Sequence, residues 1–140
     1  MARYFFDSNI FLYAMGSEHP EKAPCRKLLE LVAKREMEAV TSSEVLQEVL
    51  YVRLRRGDRI HAIDSVRSIH ELMGGTLPVT SADILDACEI LGQHPGLDTR
   101  DAVHAAVAKR NAIAMIVSID KGFDGLKGLH RLTPAQAAAN

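Results

Sequence analysis

The sequence has no tryptophan and few other aromatic residues, and its formal net charge is only −1. Without clustered aromatic residues, it offers no obvious platform on which single-stranded bases could stack. The small net charge excludes a global basic field, although a local basic patch beside an acidic site would be hidden in the sum. No apolar run approaches the roughly 20 residues that span a bilayer, so we expect no association with a membrane.

Cysteine is also scarce. Cys25 and Cys88 are the only two, and they form neither a CxxC pair nor a zinc-binding pattern with histidine. We therefore expect two reduced, partly buried thiols. No secretory signal is recognised, because only three apolar residues separate Arg3 from Asp7. These features favour a cytoplasmic protein, and a length of 140 residues favours one domain spanning residues 1–140.

What the sequence does contain is two apolar runs that each end in an aspartate. Residues 3–6 are too few for a helix and predict a buried strand that ends at Asp7. Residues 112–119 are the clearest strand pattern and end at Asp120. Ligands of open parallel sheets bind in the crevice at the carboxyl ends of the strands, so we expect both acids to lie at such a site. The alternative for Asp7 is a simple helix cap.

Strand patterns alternate with helical patterns along the chain. The predicted strands are residues 3–6, 38–41, 77–80, 112–119 and 129–132. Pro78 favours an edge position for the third of them. Alternation of this kind is typical of a right-handed, mostly parallel sheet with helices on both faces. We therefore predict an α/β fold with three layers, α/β/α, around a central sheet of about five strands.

A third candidate acid lies on the third predicted helix. Thr41 to Glu44 has the pattern of a capping box, which gives Glu44 a structural task. At 100° per residue, Glu48 lies at the edge of the apolar face, beside Val45 and Val52. We therefore expect Glu48 to face the sheet. The alternative is a surface glutamate paired with a basic neighbour.

The fourth candidate lies before an alanine-rich helix. A cap at Asp98 or the next residue places Asp101 in the first turn, near the positive end of the helix. Asp101 is the preferred site residue and Asp98 the preferred cap, although the reverse assignment stays open. Asp124, four residues after Asp120, also stays open as an outer participant or as part of a turn. His104 on the same helix as Asp101 is expected to serve packing rather than catalysis.

Four carboxylates in one crevice would raise one another's pKa values, because like charges repel and burial adds to the penalty. A divalent cation removes this conflict. A ligand set of oxygen atoms without cysteine or histidine indicates Mg²⁺ or Mn²⁺ rather than zinc. One or two such ions could activate water and hold a phosphodiester for in-line attack.

Taken together, four segments of the chain resemble the PIN-domain family of metal-dependent ribonucleases and, within it, the VapC-type toxins of toxin–antitoxin pairs. The segments occur in the family's order and are Phe5-Phe6-Asp7-Ser8-Asn9-Ile10, Thr41-Ser42-Ser43-Glu44-Val45-Leu46-Gln47-Glu48, Thr99-Arg100-Asp101-Ala102-Val103-His104-Ala105-Ala106 and Val117-Ser118-Ile119-Asp120-Lys121-Gly122-Phe123. The resemblance implies a doubly wound sheet with an acidic pocket that binds Mg²⁺ or Mn²⁺ and cuts RNA.

The resemblance also implies four catalytic and metal-binding acids, which by position are Asp7, Glu48, Asp101 and Asp120. Asn9 corresponds to a polar residue after the first acid, and Ser118 to a hydroxyl before the fourth. The implied partners are an RNA substrate, a small antitoxin whose basic residue can enter the pocket, and a second copy of the chain in a homodimer.

Other functions are weighed against this one. A PIN-like module could bind RNA or assemble with partners without turnover, and an RNA-processing nuclease could act outside a toxin–antitoxin pair. A phosphoaspartate enzyme of similar topology is disfavoured, because Asn9 stands where such a phosphatase needs a second acid.

Overall fold

Four short strands form the sheet in the computed structural model, which describes residues 2–140. They are β1 (Arg3–Phe6), β2 (Glu38–Val40), β3 (Met115–Val117) and β4 (His130–Leu132). The spatial order is β2-β1-β3-β4, and every neighbouring pair is parallel. Because the chain leaves β1 in one direction and β3 in the other, a crevice forms between the carboxyl ends of these two central strands.

Helices flank this sheet. They are α1 (Ser8–Met15), α2 (Lys22–Ala33), α3 (Ser43–Arg56), α4 (Arg59–Leu72), α5 (Ser81–Gln93), α6 (Thr99–Arg110) and α7 (Pro134–Ala139). A single 3₁₀ turn, Lys121–Phe123, follows β3. Helices α1 and α7 pack on α2, α4 packs on α3, and α6 packs on α5. The predicted α/β fold with a parallel central sheet is confirmed.

The core lies around β1, β3 and α6. Phe5, Phe6 and Ile116 have no exposed surface, and every residue from 101 to 108 is buried. The small side chains of α6 let its backbone approach its neighbours closely, as the alanine-rich sequence predicts. This packing brings the first turn of α6 close to the crevice at the ends of β1 and β3.

The sheet has one strand fewer than the predicted five. Residues 77–80 form no strand and contribute only an isolated parallel bridge between Leu77 and Ser42. The amide of Leu77 donates to the carbonyl of Thr41, and its carbonyl accepts from the amide of Ser43. Pro78 has no amide hydrogen to extend the pairing, and Thr80 serves as the cap of α5. The strand prediction for this segment was wrong.

Strand β3 is also shorter than the predicted residues 112–119. Helix α6 ends in a turn in which Ala112 has a φ of 58°, and the amide of Ile113 donates to the carbonyl of Ala108. Residues 112 and 113 therefore complete the end of the helix rather than beginning the strand. At the other end, Ser118 and Ile119 follow the last paired residue, Val117.

The capping box predicted at Thr41–Glu44 is wrong by one residue. Ser42 is the N-cap of α3, and its hydroxyl accepts from the amide of Val45. Thr41 is buried and donates its hydroxyl to the carbonyl of Phe6, which joins the ends of β1 and β2.

Both cysteines are free thiols, as predicted, but Cys88 is exposed rather than partly buried. Burial raises the pKa of the Cys25 thiol to about 12.

Among residues 2–140, we find no helix with the length and apolar character needed to cross a membrane.

Candidate active site

Asp7 lies at the centre of the crevice and is only 3% exposed. It follows β1 directly and caps α1, because its Oδ1 accepts from the amide of Ser8 at 2.7 Å. Both sequence interpretations of Asp7, as a cap and as an acid at the strand end, therefore describe its position. Burial raises the pKa of Asp7 above its ordinary value, although the charge of His104 and hydrogen bonds from Ser118 and Ser8 favour the ionised form.

Asn9 and Ser118 hold the other oxygen of Asp7. The Ser118 hydroxyl donates to Asp7 Oδ2 at 2.7 Å, and Asn9 Nδ2 donates to the same oxygen at 3.1 Å. Ser118 Oγ in turn accepts from Asn9 Nδ2 at 3.1 Å and from the amide of Asp120 at 2.9 Å. The single donor and both lone pairs of this buried hydroxyl are thus used. This network fixes the position of Asp7 relative to the segment that carries Asp120.

Asp101 stands in the first turn of α6, where the sequence predicts it. Asp98 is the N-cap and accepts from the amide of Asp101 at 2.8 Å, so the open assignment between these two acids resolves as preferred. Asp101 is 8% exposed. Burial, a hydrogen bond shared with Asp120 and the charges of nearby acids, including Asp7, raise the pKa of Asp101 to about 9.

The carboxylates of Asp120 and Asp101 both lie close to Gly122. Asp120 Oδ1 accepts from the amide of Gly122 at 2.8 Å, which caps the 3₁₀ turn. A β-carbon at Gly122 would lie 3.1 Å from Asp120 Oδ1 and 3.3 Å from Asp101 Oδ2. Any larger residue would push against both carboxylates. The sequence shows this glycine two residues after Asp120. Only the structure shows that a side chain at this position would press on the two carboxylates.

Glu48 projects from α3 towards Asp7, and its side chain is 17% exposed. Its Oε1 lies 3.1 Å from His104 Nε2, and its Oε2 lies 3.6 Å from a guanidinium nitrogen of Arg100. Burial opposes ionisation, but the hydrogen bond and charge of His104 outweigh it and lower the pKa of Glu48. The prediction that Glu48 lies at the edge of the buried face is confirmed, and its pairing with Arg100 matches part of the alternative.

His104 is the residue whose part in the site the sequence did not reveal. It is fully buried on the packed helix, as predicted, but Nε2 also lies 3.6 Å from Asp7 Oδ1. Burial lowers the pKa of His104, but its contacts with Glu48 and Asp7 outweigh burial and raise it. A packing role alone is therefore an incomplete description. The spacing of three residues from Asp101, one turn of α6, was the available signal.

Asp124 lies outside the cluster. Both its oxygens accept from the guanidinium of Arg131, at 2.8 and 3.1 Å. This hydrogen bonding lowers the pKa of Asp124, and the side chain is exposed. Arg131 also donates to the carbonyl of Ser118 at 3.0 Å, so the pair braces the end of β3 from outside. The carboxylate of Asp124 is thus engaged by Arg131.

The cluster fits a divalent cation by the chemistry of its donors. Atoms of Asp7, Glu48 and His104 lie within 4.8 Å of one another, the charge of Asp7 acts on Asp101, and Asp101 shares a hydrogen bond with Asp120. Apart from His104, whose Nε2 contacts Glu48 Oε1 at 3.1 Å, the donors of the cluster are carboxylate oxygens. Such ligands suit Mg²⁺ or Mn²⁺. Burial and the neighbouring acids raise the pKa of Asp101 to about 9, and a bound cation would relieve this conflict.

The sequence model of the PIN domain matches residues 4–129. The chain belongs to the PIN-domain family. Among curated relatives, ribonuclease VapC13 of Mycobacterium tuberculosis is 36% identical over 129 residues, which are 90% of this chain and 96% of the relative. Ribonuclease VapC7 of the same organism is 34% identical over 132 residues, 94% of this chain and 91% of the relative.

Solved structures share this PIN-domain fold. VapBC2 of Rickettsia felis, solved with a DNA fragment from its promoter, superposes with a TM-score of 0.73 and 20% identity, over 94% of this chain and 98% of that one. VapC20 of Mycobacterium tuberculosis, described as a toxin that cleaves the sarcin–ricin loop, gives a TM-score of 0.72 and 20% identity, over 89% and 95%. At this identity the likeness shows the fold alone.

Proposed function

We propose that this PIN-domain protein is a metal-dependent endoribonuclease that hydrolyses RNA phosphodiester bonds, and that it is the toxin of a toxin–antitoxin pair. One observation carries the enzymatic part: at the carboxyl ends of β1 and β3, Asp7 lies beside Glu48 and acts by its charge on Asp101, which shares a hydrogen bond with Asp120. Curated relatives that cover most of the chain are named VapC ribonucleases, which supports the assignment of RNA as substrate.

We assign the metal ligands to the acidic quartet, Asp7, Glu48, Asp101 and Asp120. When bound, Mg²⁺ or Mn²⁺ supplies charge neutralisation for the phosphodiester and activation of the attacking water. Ser118 and Asn9 orient Asp7 through its Oδ2. His104 holds Glu48 in place by the contact of 3.1 Å.

A basic and aromatic cluster beside the acids supports binding of the RNA backbone. Arg55 donates to the hydroxyl of Tyr51 at 2.8 Å, and its guanidinium lies 5.4 Å from the centre of that ring. The guanidinium of Arg100 lies 6.0 Å from the same ring and also contacts Glu48. Cationic side chains at the rim of an acidic pocket can hold phosphates next to a site that would otherwise repel them.

We further propose an antitoxin partner and a homodimer. Solved structures with this fold include a toxin–antitoxin complex from Klebsiella pneumoniae and VapBC-5, a member of the VapBC family of toxin–antitoxin systems, from Mycobacterium tuberculosis. A basic residue of the antitoxin would find a complementary charge at the acid quartet.

The gene next to this one distinguishes a toxin from an RNA-processing nuclease, because a toxin is expected beside a short reading frame that encodes a DNA-binding protein.

The enzymatic proposal is tested with purified protein and a labelled single-stranded RNA. We expect cleavage with Mg²⁺ or Mn²⁺, loss of cleavage in excess EDTA and recovery when the ion is restored. Full cleavage in EDTA would contradict metal dependence. RNA binding without cleavage in either ion would instead indicate a binding module.

Ser118→Ala tests the network that orients Asp7. Loss of the hydroxyl leaves Asp7 Oδ2 without its shortest hydrogen bond, so Mn²⁺ affinity is expected to fall by about 10- to 100-fold, the usual cost of losing a group that orients a metal ligand. Titration calorimetry with Mn²⁺ measures this change. Ser65→Ala is the matched control, because the Ser65 hydroxyl bonds only to its own helix, at the carbonyl of His61. Equal Mn²⁺ affinity in Ser118→Ala and wild type would refute the assigned role.

A further inference from the structure

A cavity of about 310 Å³ opens directly beside the acid quartet. Its wall includes Asn9, which contacts Asp7 at 3.1 Å, and Ile119, which precedes Asp120 in the chain. The remaining wall comes from α1, the segment that follows it and the end of α3. A ligand bound in this cavity would therefore lie next to any ligand bound by the acid quartet.

One side of the cavity is aromatic. The rings of Tyr13 and His19 lie 4.5 Å apart between centres, inclined at 41°, and both residues line the space. The amide of Glu21 donates to His19 Nδ1 at 3.1 Å, so the neutral ring carries its proton on Nε2, where it can donate to a ligand. The sequence gives no hint of this pair, because only the turn after α1 brings the two rings together.

The cavity also has a cationic side chain in its wall. This is Arg56, at the end of α3. Within residues 2–140 this guanidinium forms no ion pair, so its charge is available to a ligand. The neighbouring Arg53 donates to the carbonyl of Met15 at 3.3 Å and joins the end of α3 to the end of α1. The cation and the aromatic pair are thus held on elements that contact each other.

Gly16 lines the cavity at the point where α1 ends. A β-carbon at this position would lie 2.8 Å from the carbonyl oxygen of Leu12, closer than side chains are tolerated. The glycine lets the chain turn immediately after α1 and return past Tyr13 with His19. Exposed residues of this segment, Ser17, Glu18 and His19, complete the wall of the cavity.

We propose that this cavity is the binding subsite for one unstacked nucleobase of single-stranded RNA, that of the nucleotide flanking the cleaved bond. Tyr13 and His19 stack on the base, and Arg56 contacts a phosphate of the same strand. The proposal rests on the proposed ribonuclease function for the identity of the ligand. Bases splayed out of single strands and stacked on aromatic rings are the usual targets of sequence-dependent RNA recognition. A base held here fixes which phosphodiester lies at the acids.

Binding is tested apart from cleavage by NMR titration of ¹⁵N-labelled protein with adenosine and uridine 5′-monophosphates in the presence of Mg²⁺. We expect saturable shifts at amides of α1 and residues 16–19. Tyr13→Leu keeps the apolar bulk but removes the ring, and should weaken binding about 5- to 100-fold, the range for loss of one base stack. Tyr13→Phe, which retains the ring, should bind within about twofold of wild type. Shifts elsewhere, or equal binding in Tyr13→Leu, would overturn the subsite.

The phosphate contact is tested with Arg56→Gln against Arg67→Gln, which removes the same charge from an exposed position on α4. Only Arg56→Gln should weaken nucleotide binding and reduce its dependence on salt. Equal behaviour of the two variants would contradict the role of Arg56.

RNA substrates place the base relative to the cleaved bond. An oligonucleotide with one abasic nucleotide beside the cleaved bond should raise KM in wild type but change little further in Tyr13→Leu. An abasic substrate cleaved as well as the intact one would refute the flanking position. If nucleotides bind in the cavity but no RNA is cleaved, the ribonuclease function fails and the subsite stands. If RNA is cleaved and the cavity binds nothing, the subsite alone fails.

Discussion

Asp7→Asn is expected to abolish metal-dependent RNA cleavage while leaving the fold intact. The amide oxygen can still accept from the amide of Ser8, but the side chain loses the charge that would hold a divalent ion. It also presents an amide hydrogen towards Ser118 and Asn9, which now donate to this position. The loss should exceed the roughly 10- to 100-fold that follows removal of a group outside the ligand set. Cleavage rates under saturating Mg²⁺ measure it.

Asp124→Asn is the matched control for this experiment. It removes the same charge from an exposed acid that pairs with Arg131 outside the cluster, so cleavage should remain near the wild-type rate. Circular dichroism establishes that both variants are folded. Cleavage by Asp7→Asn at the wild-type rate would exclude Asp7 from the chemistry, and a loss in both variants alike would show that the effect is not specific to the crevice.

Asp101→Asn is expected to stabilise the metal-free protein at pH 8. The pKa of Asp101 is about 9 in the folded protein, against an ordinary value of 3.8. Between these values the unfolded chain releases a proton that the folded chain retains, so the contribution of Asp101 to stability falls as the pH rises from 4 to 9. Asparagine does not titrate, so the variant does not lose folding stability in this way as the pH rises. A gain of ~1 kcal/mol would raise Tm by ~3 °C at this chain length.

The same comparison reports on the metal. Mn²⁺ should raise the Tm of wild type, because it binds the folded chain, and should raise that of Asp101→Asn much less. The difference in Tm between the metal-free proteins should shrink as the pH is lowered towards the ordinary pKa of 3.8, below which aspartate is protonated in both states. Asp64→Asn removes an exposed charge on α4 and should show neither effect. If metal-free Asp101→Asn melted below wild type at pH 8, this would contradict the claim that Asp101 destabilises the metal-free fold.

The positions of the four acids could be predicted because each follows from a local rule. Asp7 and Asp120 follow apolar runs, and parallel strands bring such ends together. Glu48 was separated from Glu44 by its place on a helical face, and Asp101 from its neighbour by the geometry of a helix start. In each case the nearby sequence determines the direction of the side chain.

The remaining features depend on contacts between distant segments. His104 meets Glu48 only because α6 packs beside α3, and Gly122 matters only because two carboxylates approach it from different elements. The apolar run at residues 112–119 predicted a longer strand than β3, because Ala112 adopts the left-handed conformation after α6 and the amide of Ile113 bonds back to that helix. The pairing of Tyr13 with His19 was likewise hidden, because it needs a turn that the sequence only marks as a break.

The most direct measurement of the central claim is anomalous diffraction from crystals of the protein grown with Mn²⁺. We expect an anomalous peak in the crevice, coordinated by carboxylate oxygens of Asp7 and of at least one further acid of the quartet, and absent from crystals of Asp7→Asn. A crevice without a peak at saturating Mn²⁺, or a peak of equal height in Asp7→Asn, would contradict it.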